Sequence, residues 1–281
     1  MPTLSHLILY PIKSCAAMPV GEATVTVSGL SAQGVHDREW MLVTNDGQFL
    51  TQREFPRMAT IVPCVEAGAL VVNAPGMPPL SLPLAIQERS RTLRVQIWDD
   101  LVDADDCGDA AAAWFGQVLS TACRLVRFKP QAARATSEKW TGGAPSAALF
   151  ADAYPLLLIG QAALDEINAR LRAAGRDPLP MDRFRPNLVV EGSDPFEEDY
   201  TAAFQAGDIL IRPVKPCARC PIPAIDQATG IPGPDPLDIL QAWRSKAILD
   251  GAVCVGMNCI VATGEGGVLR VGQTLEVSLS F

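Results

Sequence analysis

The densest chemistry in the chain lies in KPCARCPIPAIDQATG, residues 215–230, where Cys217 and Cys220 form a C-x-x-C pair flanked by Lys215 and Arg219. A thiolate binds metals or attacks electrophiles, and neighbouring cations favour it over the thiol. Three chemistries use such a pair. A thioredoxin-like redox pair opens a helix within an α/β unit, whereas Pro221 and Pro223 follow here and residues 226–230 read as a turn. A zinc site would draw in Cys254 and Cys259, although their C-x4-C spacing, with Cys259 inside an apolar strand pattern, is not that of a zinc knuckle. The third chemistry is a single thiolate ligand to a soft or redox metal, the other cysteine being structural.

Three further segments supply cations and amides. FRPNLVV (184–190) places Arg185 and Asn187 two apart at a strand start, so that both side chains point to one face, suited to a phosphate or an oxyanion. YPIKSC (10–15) brings the ammonium of Lys13, the hydroxyl of Ser14 and local backbone N–H groups. HDREW (36–40) sets Arg38 just before an apolar strand. Taken singly, Arg185 reads as a solvated surface arginine, Lys13 as a loop lysine and Arg38 as a partner of Asp37. Taken together, Lys13, Arg38, Arg185 and Arg219 offer positive charge for a polyanionic ligand beside a reactive thiol.

That cluster runs against the composition. The chain has 31 acidic and 23 basic residues among 281, a formal net charge of −8. An acidic balance argues against nucleic acid or anionic lipid as a main partner and makes a local group of cations more informative. With 48% hydrophobic and 19% charged residues the composition is globular, long enough for one large or two ordinary domains. The first apolar stretch, residues 4–12, is too short and too polar for a membrane span or a signal core, and no later window reaches about 18 apolar residues. The expectation is a soluble cytoplasmic protein, with no membrane partner and its eight cysteines as free thiols. Only two histidines occur, His6 and His36, which excludes histidine-rich metal sites, and nothing orients His36 towards a catalytic cysteine. H-E-x-x-H, G-x-S-x-G and P-loop motifs are absent, and GEGGVLRVG lacks dinucleotide-binding spacing.

The elements that must position these residues are mostly strands. Leu7, Leu9 and VGEATVTVSGL (20–30) alternate with period two, and Asn45-Asp46-Gly47 between apolar runs signals a hairpin. ATIVPCVEAGALVVN (59–73) and TLRVQIW (92–98) continue the β pattern to an acidic run, residues 98–109. DAAAAWFGQVL (109–119) reads as a helix with Asp109 as its cap. Beyond it CRLVRF, NLVVEG, GDILIRPV, CIVAT and GVLRVGQTLEVSL read as strands, and residues 134–147 as a polar loop. Residues 161–175 read as a helix with Leu164, Ile167 and Leu171 on one face and Gly175 as its stop, and residues 234–246 as a shorter one. The composition changes near residues 100–125. The expected fold is therefore mainly β with minor α, with a β-barrel-like unit over residues 1–115 and a second barrel with peripheral helices over 116–281.

The order YPIKSC, HDREW, TQREFPRMA, FADAYPLLLIG, FRPNLVV, KPCARCPIPAID, GMNCIV, VGQ resembles the MOSC-domain family along essentially the whole chain. The closer likeness is to the branch that contains the mitochondrial amidoxime-reducing component and bacterial hydroxylaminopurine-detoxifying proteins. The resemblance implies an N-terminal MOSC β-barrel domain followed by the MOSC domain, and a molybdenum cofactor (Mo-molybdopterin) whose metal is ligated by Cys220, the catalytic residue. It assigns Lys13, Ser14, Arg38, Asp152, Arg185, Asn187, Arg219 and Asn258 to the cofactor. It further implies reduction of a small N-oxygenated substrate, or, on the likeness to the C-terminal domain of molybdenum-cofactor sulfurase, carriage of persulfide sulfur or of the cofactor. A zinc-stabilised β binding protein stays open as a third reading. Relatives often have Ser where this chain has Ala218, and the protein is expected to lack both the ferredoxin-like C-terminal domain of some bacterial relatives and the membrane anchor of the mitochondrial ones. Electrons are accordingly expected from a separate electron-transfer protein.

Overall fold

The computed structural model describes residues 1–85, 90–132 and 134–280. It is mainly β with minor α: strands take 40% of the residues and helices 20%. The principal sheet is an open half-barrel running, edge to edge, Met18–Val20, Thr3–Leu9, Leu188–Glu191, Leu156–Gly160, Ala252–Thr263, Ile209–Ala218, Thr201–Ala206 and Glu276–Leu279, with Ser245–Lys246 paired off this path. Among the described strands of this sheet, only Leu156–Gly160 and Leu188–Glu191 pair in parallel. The helix Gln161–Ala173 makes that crossover, its Leu164, Ile167 and Leu171 buried in a satellite core and each contributing ~2 kcal/mol by burial. Leu7 and Leu9, two apart on the first strand, and Leu4, brought to the same core by a register shift between Leu4 and His6, pack beside Leu188 and Val190. The two ends of the chain thus share one sheet.

Smaller sheets complete the first half. Thr92–Ile97, Asp100–Asp106, Arg124–Phe128 and Trp40–Val43 form one, and Val62–Glu66, Ala69–Asn73 and Leu80–Pro83 another. The Asn45-Asp46-Gly47 turn forms as expected, with Gly47 at φ +86° and a Val43–Phe49 bridge. Other expectations need correction. The run 20–30 is not one strand: Glu22–Thr26 and Gly29–Ala32 pair as a hairpin, since Gly29 at φ +106° turns the chain where a Cβ would strike the Pro155 carbonyl. The acidic run contains the strand Asp100–Asp106, whose Val102 and Ala104 point inward, with Asp103 and Asp105 on the opposite face and Asp106 paired with Arg124. Asp109 is the first residue of its helix, behind Gly108, and makes an ion pair with Arg124 instead of a cap bond. The strands read as GDILIRPV and CIVAT extend to Ile209–Ala218 and Ala252–Thr263, ten and twelve residues. Residues 134–147 hold one helical turn, Glu138–Thr141, stopped by Gly142.

Candidate functional site

Sheet register builds the site. Lys215 pairs with Asn258, Asn258 with Leu157, and the Asn187 N–H donates to the Leu157 carbonyl at 2.8 Å, while Ile8 N–H donates to the Asn187 carbonyl. Four neighbouring strands therefore bring an end to one line, which Ala252–Thr263 crosses at Asn258 in its middle. Lys13 and Ser14 follow the first strand, Asp152 precedes Leu156–Gly160, Arg185 precedes Leu188–Glu191, and Cys217 closes Ile209–Ala218 ahead of Arg219 and Cys220. Arg38 arrives from the adjoining sheet, just before Trp40–Val43. All nine residues that the resemblance singles out line a single cavity of about 240 Å³.

Three of them share an unusual backbone. Ser14, Arg38 and Arg185 have φ of +64°, +49° and +57°, the left-handed region that costs a non-glycine residue about 1 kcal/mol or more. Each is over-determined by its surroundings. The Ser14 carbonyl accepts from Gln52 Nε2 at 2.8 Å, and the Arg38 N–H donates to the Tyr10 carbonyl. The Arg185 N–H donates to Asp182, closing a 3-10 turn over Met181–Phe184. Arg185 and Asn187 do face one cavity, but not through strand alternation: Arg185 lies before the strand and turns back through its left-handed conformation.

Both guanidiniums, of Arg38 and Arg185, stack on the buried Tyr10 ring, 4.3 and 4.2 Å from its centroid. Arg38 pairs with buried Asp37 and donates to Asn187 Oδ1 at 3.0 Å. Arg185 Nη2 donates to the Cys15 carbonyl at 2.8 Å and Nη1 to Gln227 Oε1 at 3.1 Å. Burial pushes the Tyr10 hydroxyl up to about 12 against the two cations, so the ring stays neutral between them. Lys13 Nζ donates to the Phe150 carbonyl and to Asp152. Burial lowers the Lys13 pKa, and Asp152 opposes that shift. Desolvation works against ionising Asp152, yet Lys13, the Trp98 N–H and Arg38 hold its carboxyl below the ordinary carboxylate range, although 68% of its side chain faces solvent.

The thiol side is less constrained. The C-x-x-C pair closes a strand and is followed by a single 3-10 turn, Ile222–Ala224, not by the α-helix that a thioredoxin-like pair opens. Arg219 Nη1 donates to Cys217 Sγ at 3.1 Å and Nη2 to the Phe184 carbonyl at 2.8 Å, while its buried Nε has no partner among the described residues. Cys220 is half-buried, and its thiol makes no hydrogen bond among the described residues. The zinc reading fails on its donors. Cys254 and Cys259 are buried in the sheet, and among the described residues no three His, Cys, Asp or Glu side chains gather to hold a metal.

Six cations line the cavity, Lys13, Arg38, Arg53, Arg185, Lys215 and Arg219, against one carboxylate, Asp152. Only Lys13 and Arg38 have carboxylate partners among the described residues. Such an excess, with the orphaned Arg219 Nε, fits a multiply charged anion lying beside one free thiol. Several lining residues carried no assignment from the sequence: Thr51, Arg53 and Tyr154. Their signal was weak, polar side chains directly after one apolar run and an aromatic directly before another. Gln52 and Gln227, 175 positions apart, exchange two amide hydrogen bonds of 3.0 Å behind the Ser14 and Arg185 contacts, and only the fold reveals them.

Family models match in two blocks, a MOSC N-terminal beta barrel domain over residues 1–122 and a MOSC domain over residues 145–276. The mitochondrial amidoxime reducing component 2 of Rattus norvegicus is 34% identical over 285 residues, covering 96% of this chain and 82% of that one. Its Homo sapiens counterpart is 35% identical over 246 residues, covering 86% and 72%. The molybdenum cofactor sulfurase of Danio rerio is 30% identical over 99% of this chain, which spans 34% of that protein.

Proposed function

The chain belongs to the MOSC-domain family, in the branch of the mitochondrial amidoxime-reducing components, and from that premise we propose that it is a molybdenum-cofactor-dependent reductase of N-hydroxylated compounds. The observation that carries this reading is a thiol without a hydrogen-bond partner standing in a cavity of six cations and one carboxylate. In it, Cys220 is the metal's protein ligand. Arg38, Arg185 and Arg219 hold the phosphate-bearing pterin by charge, Lys13 and Ser14 by an ammonium and a hydroxyl, and Asn187 and Asn258 by amides reaching in from the sheet. Asp152 keeps Lys13 charged and aimed.

The cofactor, when bound, supplies the two-electron chemistry by which N–OH, two electrons and two protons become N–H and water. The chain contributes the field and the geometry. The Tyr10 ring spaces two guanidiniums without adding charge, and the buried Asp37 neutralises Arg38 from behind, so the positive potential faces the cavity. Reducing equivalents come from a separate electron-transfer protein, and residence is cytoplasmic. Among the described residues no helix is long and apolar enough to cross a membrane.

The sulfurase likeness supports a second reading, carriage of persulfide sulfur or of the cofactor. One experiment separates the two: metal and pterin analysis of wild type and Cys220→Ser from a cofactor-competent host, followed by N-hydroxy reduction with an artificial donor. Stoichiometric molybdenum lost on substitution, with turnover, supports the reductase. Molybdenum without turnover favours carriage, and zinc without pterin sinks both.

A further inference from the structure

Arg183 and Arg185 are gripped by consecutive residues of one loop, and gripped differently. Arg183, outside the described wall of the cavity, donates to Asp226 Oδ2 at 2.7 Å, a full ion pair. Arg185, in that wall, donates to the amide oxygen of Gln227 at 3.1 Å and to the Cys15 carbonyl at 2.8 Å. No carboxylate pairs with Arg185 among the described residues, so its charge is held without being cancelled. The two bonds take one N–H from each terminal nitrogen, and the other N–H groups have no partner among the described residues.

The Gln227 amide is itself pinned. Its Nε2 donates to the Ile225 carbonyl at 3.1 Å and to Gln52 Oε1 at 3.0 Å, and its Oε1 accepts from Gln52 Nε2 at 3.0 Å. Both Nε2 hydrogens are thereby committed, so the oxygen must face Arg185. Gln52 is fully buried, and its second N–H goes to the Ser14 carbonyl at 2.8 Å. A closed ring results, running Ser14, Gln52, Gln227, Arg185 and Cys15, the residue after Ser14. The same loop docks on the segment after Gln52, where a Cβ at Gly230 (φ +68°) would lie 3.0 Å from the Pro56 carbonyl oxygen. The loop that follows Cys220 is thus fixed to Ser14 and Arg185 by groups without charge.

We propose that Gln227 and Gln52 are positioning residues, a charge-neutral clasp that aims Arg185 at an anion in the cavity and leaves its positive charge uncancelled. This deepens the reductase reading and rests on it only for identifying that anion as the cofactor's phosphate. An acid at position 227 would accept the same bond from Arg185, as Asp226 does from Arg183, but would neutralise the guanidinium. The amide favours binding a ligand over satisfying the arginine internally.

The test measures sulfate affinity, by titration calorimetry on the full cofactor-free chain, for wild type, Gln227→Glu, Gln227→Met and Asp226→Asn. Gln227→Glu should bind sulfate about tenfold more weakly than wild type, and Gln227→Met, which loses the clasp but adds no charge, should fall between them. Asp226→Asn, which removes the Arg183 ion pair, should stay within about twofold of wild type. Equal affinities in Gln227→Glu and Gln227→Met overturn the proposal, because charge at that position is then irrelevant. So does an equal loss in Asp226→Asn, the mark of general loosening of the loop, or a wild type that binds no sulfate. If Gln227→Glu does not fold, Gln227→Met decides: wild-type affinity overturns the clasp, and a loss of more than about twofold supports it. Pterin analysis of the same chains from a cofactor-competent host keeps the two readings apart. The affinity order without any bound pterin sinks the reductase reading and leaves the clasp standing, whereas bound pterin without the affinity order does the reverse.

Discussion

The two walls of the cavity are built in opposite ways. On the cradle side, Asn187 is 1% exposed and most of its amide capacity is committed: Nδ2 donates to the Ile8 carbonyl at 3.0 Å, and Oδ1 accepts from Arg38 and from the Leu157 N–H. Its neighbours Arg185 and Lys13 are buried and held in place by carbonyls, an amide or Asp152. On the thiol side, Cys220 is half-buried and its sulfur is tied to nothing among the described residues. One wall has its electrostatics set before any ligand arrives, at the cost of three strained residues. The other leaves its sulfur free, as the proposed role of a metal ligand requires. Preorganisation is concentrated where charge must be held and omitted where a bond must form.

The largest effect should separate the walls completely. Cys220→Ser should reduce bound molybdenum to below about a tenth while leaving the melting temperature of the cofactor-free chain unchanged, as befits a half-exposed side chain with no polar partner; a melting shift of several degrees would break the contrast. Asn187→Ala should do the converse. It orphans the Ile8 carbonyl and the Leu157 N–H, both buried, and should cost about 2–3 kcal/mol in urea unfolding as well as weakening pterin retention.

The far end of the strand Leu156–Gly160 gives a pH-dependent comparison. Glu198, 2% exposed, accepts from the Gly160 N–H, and burial pushes its carboxyl up to about 7 from 4.5, its other oxygen lacking a partner among the described residues. The folded chain therefore binds the proton more tightly than the unfolded one. This contribution is full below pH 4.5, falls as pH rises from 4.5 to about 7, and is level above. Glu198→Gln should flatten that slope, by on the order of 1–3 kcal/mol at pH 8, without touching molybdenum content; an unchanged slope would remove the buried carboxylate from the account.

The smallest effect tests the strain itself. Ser14→Gly should stabilise the chain by about 0.5–1 kcal/mol and weaken cofactor retention, whereas Ser120→Gly, at the equally left-handed but exposed end of the helix Asp109–Leu119, should give the same gain with no effect on retention. Equal retention in both would show that the strain at Ser14 serves folding alone.

The residues of the cradle were legible in the sequence because each lies in a short motif whose side-chain chemistry survives without coordinates. Its conformations were not. Nothing in Lys13-Ser14, Asp37-Arg38 or Phe184-Arg185 marks a left-handed backbone, since the usual markers are glycine and asparagine. Arg185 and Asn187 do converge on one cavity, but the chain brings them there by a turn at Arg185 and not by strand alternation. The strand Asp100–Asp106 was hidden because its acids masked a two-residue alternation of Val102 and Ala104. The Arg53–Trp98 stack joins residues 45 positions apart that no local pattern relates.

The Tyr10 ring holds Arg38 and Arg185, residues nearly 150 positions apart, and the strand before Tyr10 pairs with Leu188–Glu191. A ribosome must therefore have released about two-thirds of the chain before the grip around that phenol exists. Under the proposed function, cofactor insertion would follow folding as a separate maturation event, so protein made in a cell starved of molybdenum should accumulate as a shaped vessel that can be filled later.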